Sequence, residues 1–242
     1  EIIFFRSIIS TGCCYWALRK KNITIFKLHP AMKLLLARGI IGTLGLCCFF
    51  FALKNLNLAY AVTLHQLAPL FIVAISLFFL KQKIHLLQIC GVLTALLGIV
   101  WTYQVNLDDI DWLVSIGILG AFCSAITFHI IYALRGKADP SLIIIYFPLT
   151  SIPVAALFFL YDGWVTPSFF ELMLLIGVGF TTHIAQLFLT LAYQHEEPSK
   201  LSMYAPISVI FAAMISVVMF QEVLNLNQWV GISFIFLGVI IS

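Results

Sequence analysis

The chain carries little charge for its size. Lys, Arg, Asp and Glu make up 10% of its 242 residues, 62% are hydrophobic, and the mean hydropathy is +1.09. A soluble domain has about a quarter charged residues, so this composition excludes a globule covered by water. The long apolar runs do not alternate in polarity as the strands of a membrane barrel would. The sequence therefore predicts an all-α integral membrane protein.

The sequence also lacks the common motifs of enzymes and metal sites. It contains no HExxH, GxSxG, P-loop or CxxC pattern. Its six cysteines lie in apolar runs, where they are typical of small buried hydrophobic residues rather than disulfides or metal ligands. These are Cys13, Cys14, Cys47, Cys48, Cys90 and Cys123. We expect no catalytic residue, metal, cofactor or nucleic-acid partner.

One acidic cluster keeps an enzyme alternative open. Asp108, Asp109 and Asp111 could hold Mg²⁺ against a diphosphate, as in a membrane prenyltransferase. No second acidic motif faces this cluster, so a solvated loop is the favoured interpretation. A non-transporting membrane scaffold is a further alternative, but it would need an exposed interaction surface, and the connections here are short.

The apolar runs predict nine membrane helices. We place them at about 1–18, 34–53, 58–80, 86–104, 112–134, 141–160, 170–193, 200–220 and 228 to the end. The chain begins and ends within apolar runs, and we expect a first helix to be missing.

Basic residues concentrate in alternate connections between these helices. One set holds Arg19, Lys20, Lys21, Lys27, Lys33, Lys81, Lys83, Arg135, Lys137 and Lys200. The other holds Lys54 with Asp108, Asp109, Asp111, Asp162 and Glu222. Because positive loops stay on the cytoplasmic side, we predict a multi-pass protein of the cytoplasmic (inner) membrane with its basic loops in the cytoplasm.

The chain contains an internal repeat. A shift of 140 positions places Gln88-x-x-Gly91 on Gln228-x-x-Gly231 and brings helix onto helix without a gap. The helix at 112–134 would have its partner before residue 1, which predicts ten helices as an inverted 5+5 repeat. An odd number of helices per repeat reverses the orientation of the second half, a pattern typical of transporters. The predicted divisions are a first repeat at 1–104, a linker at 105–111 on the outer side and a second repeat at 112–242.

Several short segments carry a family resemblance. They are Phe4-Phe5-Arg6, Leu36-Ala37-Arg38-Gly39, Ala68-Pro69-Leu70-Phe71, Gln82…Gln88-x-x-Gly91 and Glu222…Gln228-x-x-Gly231. In this order the chain resembles the EamA-type members of the drug/metabolite transporter superfamily. Gln82 departs from the glutamate usual at its position, whereas Glu222 keeps it. The resemblance implies a central cavity and the movement of a small metabolite, without fixing the substrate.

Polar side chains recur inside three of the predicted helices. His183, Gln186, Thr190 and Tyr193 share one face of the helix at 170–193. Such a face should meet protein or a cavity, since exposure of these groups to lipid is costly. It could line the cavity, or it could form hydrogen bonds between helices.

Two prolines lie beside the other polar residues. Pro69 follows His65 and Gln66, and Pro206 follows Tyr204. A proline has no N–H and leaves the carbonyl four residues earlier without its helical partner. Each proline could be a hinge or only a kink that shapes packing.

The remaining polar candidates are two arginines within helices, Arg6 and Arg38. Each could extend to the headgroups or pair structurally, or it could attract an anionic group of a substrate. Glycines and small residues in the helices at 34–53 and 112–134 predict close helix packing.

These observations predict a transporter that works by alternating access. The predicted substrate-binding residues are His65, Gln66, His183, Gln186, Tyr204, Arg38 and Thr190, with Pro69 and Pro206 as hinges. The expected partners are a small-molecule substrate and the lipid bilayer, and the protein is expected to be a monomer or a homodimer.

Overall fold

The computed structural model describes most of the chain. The described residues are 2–25, 29–56, 58–82, 84–103, 112–162, 166–221 and 225–241. The acidic cluster Asp108, Asp109 and Asp111, the predicted linker and Glu222 lie outside them.

The regular structure within these residues is helical. The helices are α1 (Ile2–Lys20), α2 (Met32–Asn55), α3 (Leu58–His65), α4 (Ala68–Phe78), α5 (Leu86–Tyr103), α6 (Leu113–Ala133), α7 (Pro140–Asp162), α8 (Phe169–His195), α9 (Pro198–Leu201), α10 (Ile207–Phe220) and α11 (Leu226–Ile241). A 3₁₀ helix, Ser202–Tyr204, lies between α9 and α10. The all-α prediction is confirmed, and each predicted helix has a helical counterpart here.

The helices have the length and apolarity of membrane spans. Six stretches of the described chain are long and apolar enough to cross a bilayer, and α5 and α11 are shorter apolar helices. On α8, large apolar side chains such as Phe180 and Phe188 are exposed, Phe188 by 67%. Exposed apolar surface of this extent suits contact with lipid chains and not water. The chain is therefore a multi-pass membrane protein.

Two helices predicted as continuous are broken. The segment at 58–80 divides into α3 and α4, and Pro69 lies in the first turn of α4, where a missing N–H costs nothing. The segment at 200–220 divides into α9, the 3₁₀ helix and α10, and Pro206 is the residue that caps α10 at its start. The sequence predicted a hinge or a kink at each proline, within a helix that was otherwise continuous.

The helix bounds repeat with the predicted shift of 140 residues. α5 begins at Leu86 and α11 at Leu226, while α2 ends at Asn55 and α8 at His195. The two broken segments are also counterparts under this shift. This regularity supports the predicted repeat, whose divisions stay a prediction.

Contacts divide the chain into two compact units. The first comprises Glu1–Thr43 and His129–His195, and the second comprises Leu44–Phe128 and Glu196–Ser242. Each unit therefore takes segments from both predicted repeats, and α2 and α6 each contribute to both units.

A glycine seam joins α5 to α11 within the second unit. A Cβ on Gly98 would lie 2.6 Å from the Gly231 carbonyl oxygen, and one on Gly238 would lie 2.6 Å from the Gly91 carbonyl oxygen. Gly98 of α5 meets Gly231 of α11, while the earlier Gly91 meets the later Gly238. The two helices therefore run antiparallel. These helices are counterparts under the predicted shift, and opposite directions are what an inverted repeat requires.

Small residues also bring α2 and α6 together in the second unit. A Cβ on Gly45 would lie 3.1 Å from the Cβ of Cys123, and one on Gly120 would lie 3.1 Å from the Cβ of Cys48. The prediction of close packing by small residues is confirmed at this contact.

Candidate functional site

The first unit holds a cluster of polar groups around one aromatic ring. We call Arg6, Arg38, Phe147 and Gln186 the arginine cluster. The side chain of Arg38 is only 2% exposed, and its Nη2 donates a hydrogen bond to Gln186 Oε1 at 3.3 Å. Its guanidinium carbon lies 4.9 Å from the centroid of the Phe147 ring. The snorkelling alternative is therefore wrong for Arg38, because protein encloses its head group.

Arg6 approaches the same ring from α1. Its guanidinium carbon lies 5.8 Å from the Phe147 centroid, and its side chain is partly buried. The ion pairs described in the structure, Lys21–Asp139 and Lys200–Glu196, involve neither arginine. Two positive charges thus face one ring without a carboxylate partner among the described residues.

Glycines of α2 make room for this arrangement. A Cβ on Gly42, one turn after Arg38, would contact Arg38 Nη1 and would lie 3.1 Å from Phe147 Cδ2. A Cβ on Gly39 would lie 2.6 Å from the Tyr146 carbonyl oxygen. Glycine at these positions therefore allows α2 and α7 to approach and leaves space for the guanidinium of Arg38.

The polar stripe of α8 is the face that contacts protein. His183 Nδ1 lies 3.1 Å from Ser10 Oγ of α1, within hydrogen-bond distance. Thr190 and Tyr193 are buried, and Thr190 Oγ1 has no hydrogen-bond partner. His183 and Gln186 each contact a polar group of another helix within hydrogen-bond distance. This arrangement corresponds to the alternative in which the stripe forms hydrogen bonds between helices. Cavity lining by these residues stays a prediction.

A second polar contact of the first unit is the repeat counterpart of the His183–Ser10 contact. Thr43 Oγ1 and Thr150 Oγ1 share a hydrogen bond of 2.7 Å, and the shift of 140 residues relates Thr43 to His183 and Ser10 to Thr150. The two contacts join the same pair of helix positions. Only one of them has a titratable imidazole, so the two halves differ chemically at this place.

In the second unit, His65 and Gln66 lie at the break between α3 and α4. The His65 ring packs on Phe49 with 4.6 Å between centroids, and its Nδ1 is buried without a hydrogen-bond partner. Gln66 Nε2 donates to Ser208 Oγ at 3.1 Å. The side chain of Gln66 thus connects the two broken segments.

The predicted site residues are therefore distributed over both units. Arg38, His183, Gln186 and Thr190 belong to the first unit. His65, Gln66 and Tyr204 belong to the second, and Tyr204, in the 3₁₀ helix, is 55% exposed. The grouping of all seven residues as a substrate site stays a prediction.

Sequence reasoning missed two residues that organise the first unit. Phe147 contacts both arginines, but it is one of many phenylalanines in apolar runs and carries no distinguishing signal. Ser10 was also missed. A signal for it was available in the sequence, since a second serine, Ser7, lies one turn earlier in the same apolar run. In the structure, Ser7 shares a 2.7 Å hydrogen bond with Ser151 of α7.

A family model and several curated relatives that match this chain are named for membrane transport. The model of the EamA-like transporter family matches residues 1–104 and 111–242. The pseudopaline exporter CntI of Pseudomonas aeruginosa is 28% identical over 215 residues, which are 88% of this chain and 75% of that protein. The S-adenosylmethionine uptake transporter of Rickettsia felis is 24% identical over 227 residues, 90% of this chain and 72% of the relative.

A solved structure shares the fold. A crystal structure of a protein superposes with a TM-score of 0.84, and the match covers 99% of this chain and 85% of the other at 15% identity. At that identity the likeness concerns the fold alone.

Proposed function

We propose, since the chain belongs to the EamA-like transporter family, that it moves a small metabolite across the cytoplasmic membrane. The movement would use alternating access of two inverted repeats, with the basic loops in the cytoplasm. The relatives carry names of both an exporter and an uptake transporter, so neither direction is favoured. The protein would act as a monomer or a homodimer in the bilayer.

The observation that carries this proposal is the buried arginine of α2. Charged residues within membrane helices are expensive, and they commonly mark a substrate or ion pathway. Arg38 lies within a membrane-length helix, is buried and is held by Gln186 of α8. His183 lies one turn away from Gln186 on the same helix. We therefore place Arg38, His183 and Gln186 at the centre of the substrate site.

Further predicted residues complete the proposed site. Thr190 extends it along α8, while His65, Gln66 and Tyr204 would contribute from the broken segments. The unpaired Nδ1 of His65 and the unpaired hydroxyl of Thr190 support this assignment, because each leaves hydrogen-bonding capacity for a ligand.

Pro69 and Pro206 are proposed as hinges. Both helices are interrupted beside these prolines, and interrupted helices absorb changes in backbone angle more readily than continuous ones. Nothing in the described residues favours the prenyltransferase or scaffold alternatives.

The test is transport by cells that express the full-length protein. Uptake and efflux of a labelled metabolite panel would be measured for the wild type and for a His183→Ala, Gln186→Ala double variant of equal abundance. We expect saturable transport in the wild type and at least about a tenfold loss in the variant, because each substitution removes hydrogen bonds worth about 1 kcal/mol or more. Thr181→Ala, an exposed position of α8, is the matched control.

The outcomes separate the parts of the proposal. Transport unchanged in the double variant would remove His183 and Gln186 from the site but leave the transporter standing. No transport of any compound in either direction would contradict the function itself.

A further inference from the structure

We infer that Arg6 and Arg38 together bind an oxyanion group of the transported substrate, a carboxylate or a phosphate, against the ring of Phe147. This inference rests on the proposed transport function and names the chemical class of its substrate.

The first support is the unused hydrogen-bonding capacity of Arg38. A guanidinium presents five N–H donors. Nη2 of Arg38 bonds Gln186, whereas its Nε is buried and has no hydrogen-bond partner. A buried donor without a partner is destabilising, above all on a charged group. An oxyanion beside Nε would accept a hydrogen bond from this unused donor.

The second support is the uncompensated charge. Both guanidinium groups face the same ring, at 4.9 Å for Arg38 and 5.8 Å for Arg6. The ring attracts each cation but carries no net charge. The carboxylates described elsewhere in the first unit already have other partners. Asp139 pairs with Lys21 at 2.7 Å, and the Glu171 carboxylate accepts a hydrogen bond from the Ser168 backbone N–H. A bound anion would supply the missing countercharge to both arginines.

The third support is that the Arg38 guanidinium is already oriented. Gln186 accepts from one edge of it, the Phe147 ring covers one face, and the absence of a side chain on Gly42 leaves room for Nη1. A planar fork held in one orientation recognises carboxylate and phosphate oxygens by paired hydrogen bonds. Arg6, which is less buried, would supply the second positive charge where a ligand approaches.

The consequence is a choice between chemically matched compounds. A substrate with a carboxylate or phosphate should be preferred over the same compound with that group replaced by an amide or a hydroxyl. Buried ionic groups lose several kcal/mol when their partner is removed, which corresponds to a preference of about 30-fold or more.

The experiment uses the full-length protein in cells and labelled pairs in which the carboxylate or phosphate groups of one member are replaced by neutral groups in the other. Suitable pairs are benzoate and benzamide, succinate and succinamide, and AMP and adenosine. Transport would be measured for the wild type, Arg38→Gln, Arg38→Lys and Arg6→Gln, with Arg19→Gln as the matched control, because Arg19 is an exposed arginine of α1 outside the cluster. Size-exclusion profiles would confirm that each variant is folded.

We expect transport of an anionic member only, reduced about 30-fold in Arg38→Gln and less in Arg38→Lys, which keeps the charge but not the fork. Arg19→Gln should match the wild type. A preference for the AMP pair would identify phosphate, and a preference for the acid pairs carboxylate. Transport of neutral members at equal rates, or an equal loss for both members in Arg38→Gln, would overturn the anion site while transport stands.

If no pair is transported, the metabolite panel described above decides the transport function, and a binding measurement decides the anion site separately. The protein in nanodiscs would be heated with succinate, inorganic phosphate or succinamide. Stabilisation by either anion that disappears in Arg38→Gln would retain the site. No stabilisation by any of the probes would overturn it.

Discussion

The glycine seam between α5 and α11 provides a sharp test of the packing. We predict that Gly231→Ala destabilises the protein although alanine favours a helix more than glycine does. A Cβ at this position would contact Thr102 Oγ1, would lie 2.6 Å from the Gly98 carbonyl oxygen and 2.7 Å from the Thr102 backbone nitrogen. Backbone atoms of a packed helix cannot rotate away, so α5 and α11 would have to separate.

The size of the effect follows from two opposing terms. Overpacking a tightly packed contact costs about 1–3 kcal/mol. The higher helix propensity of alanine offsets about 0.5–1 kcal/mol of this steric cost. At the upper end of the steric cost the net loss is about 2 kcal/mol, which lowers the Tm of a chain of this length by about 4–8 °C.

The chain offers a matched control for this substitution. Gly177 lies in α8, and a Cβ there would meet nothing within 4 Å. Gly177→Ala should therefore leave the Tm unchanged or raise it slightly. Thermal unfolding of both purified variants in one detergent provides the comparison. A Tm for Gly231→Ala no lower than that of Gly177→Ala would refute the close antiparallel contact of the two helices.

Two further predictions concern the polar residues. Gly42→Ala should displace the Arg38 guanidinium and raise the KM for transported substrate about tenfold. The Tm should change little, because the nearest atom belongs to the flexible end of Arg38 and the Phe147 ring, with Cδ2 at 3.1 Å, has to move only slightly. An unchanged KM would show that Gly42 does not position Arg38. Gln66→Ala should lose the hydrogen bond to Ser208 and about 1 kcal/mol, seen as a Tm lower by about 2–4 °C; if its effect simply adds to that of Ser208→Ala, the two side chains do not interact.

Much of the fold was predictable because the membrane limits what a chain can do. Within a bilayer every backbone group must find its partner inside the segment, so apolar length translates directly into helices. The predicted helix at 34–53 is α2, Met32–Asn55, and the one at 112–134 is α6, Leu113–Ala133. The repeat in the sequence also reappears in the helix bounds.

The prolines show that the local sequence does not decide whether a helix is interrupted. Pro69 and Pro206 accompany interrupted helices, but α7 continues through Pro148 and Pro153. The same missing N–H is present in all four cases. α7 is the most buried of the six membrane-length stretches. Packing on several sides stabilises it as one helix, and that packing is not visible in the local sequence.

The polar residues of the candidate site could be predicted from the sequence, but the aromatic residue that contacts the arginines could not. Polar groups within an apolar helix stand out, so His183, Gln186 and Arg38 could be selected from composition and spacing alone. Phe147 could not, since its role depends on two arginines from other helices that contact its ring.

By itself the sequence determined the class, the helices, the repeat and the small set of polar residues within the membrane. These properties depend on hydrophobicity, length and spacing, which are local. Only the tertiary structure decided that Arg38 is enclosed instead of reaching the headgroups, that Gln186 bonds it, and that Arg6 shares its aromatic ring. Those contacts join residues more than a hundred positions apart in the chain. The contacts on Phe147 depend on the close approach of α2 and α7 at glycines such as Gly39, and no local pattern records which helices meet.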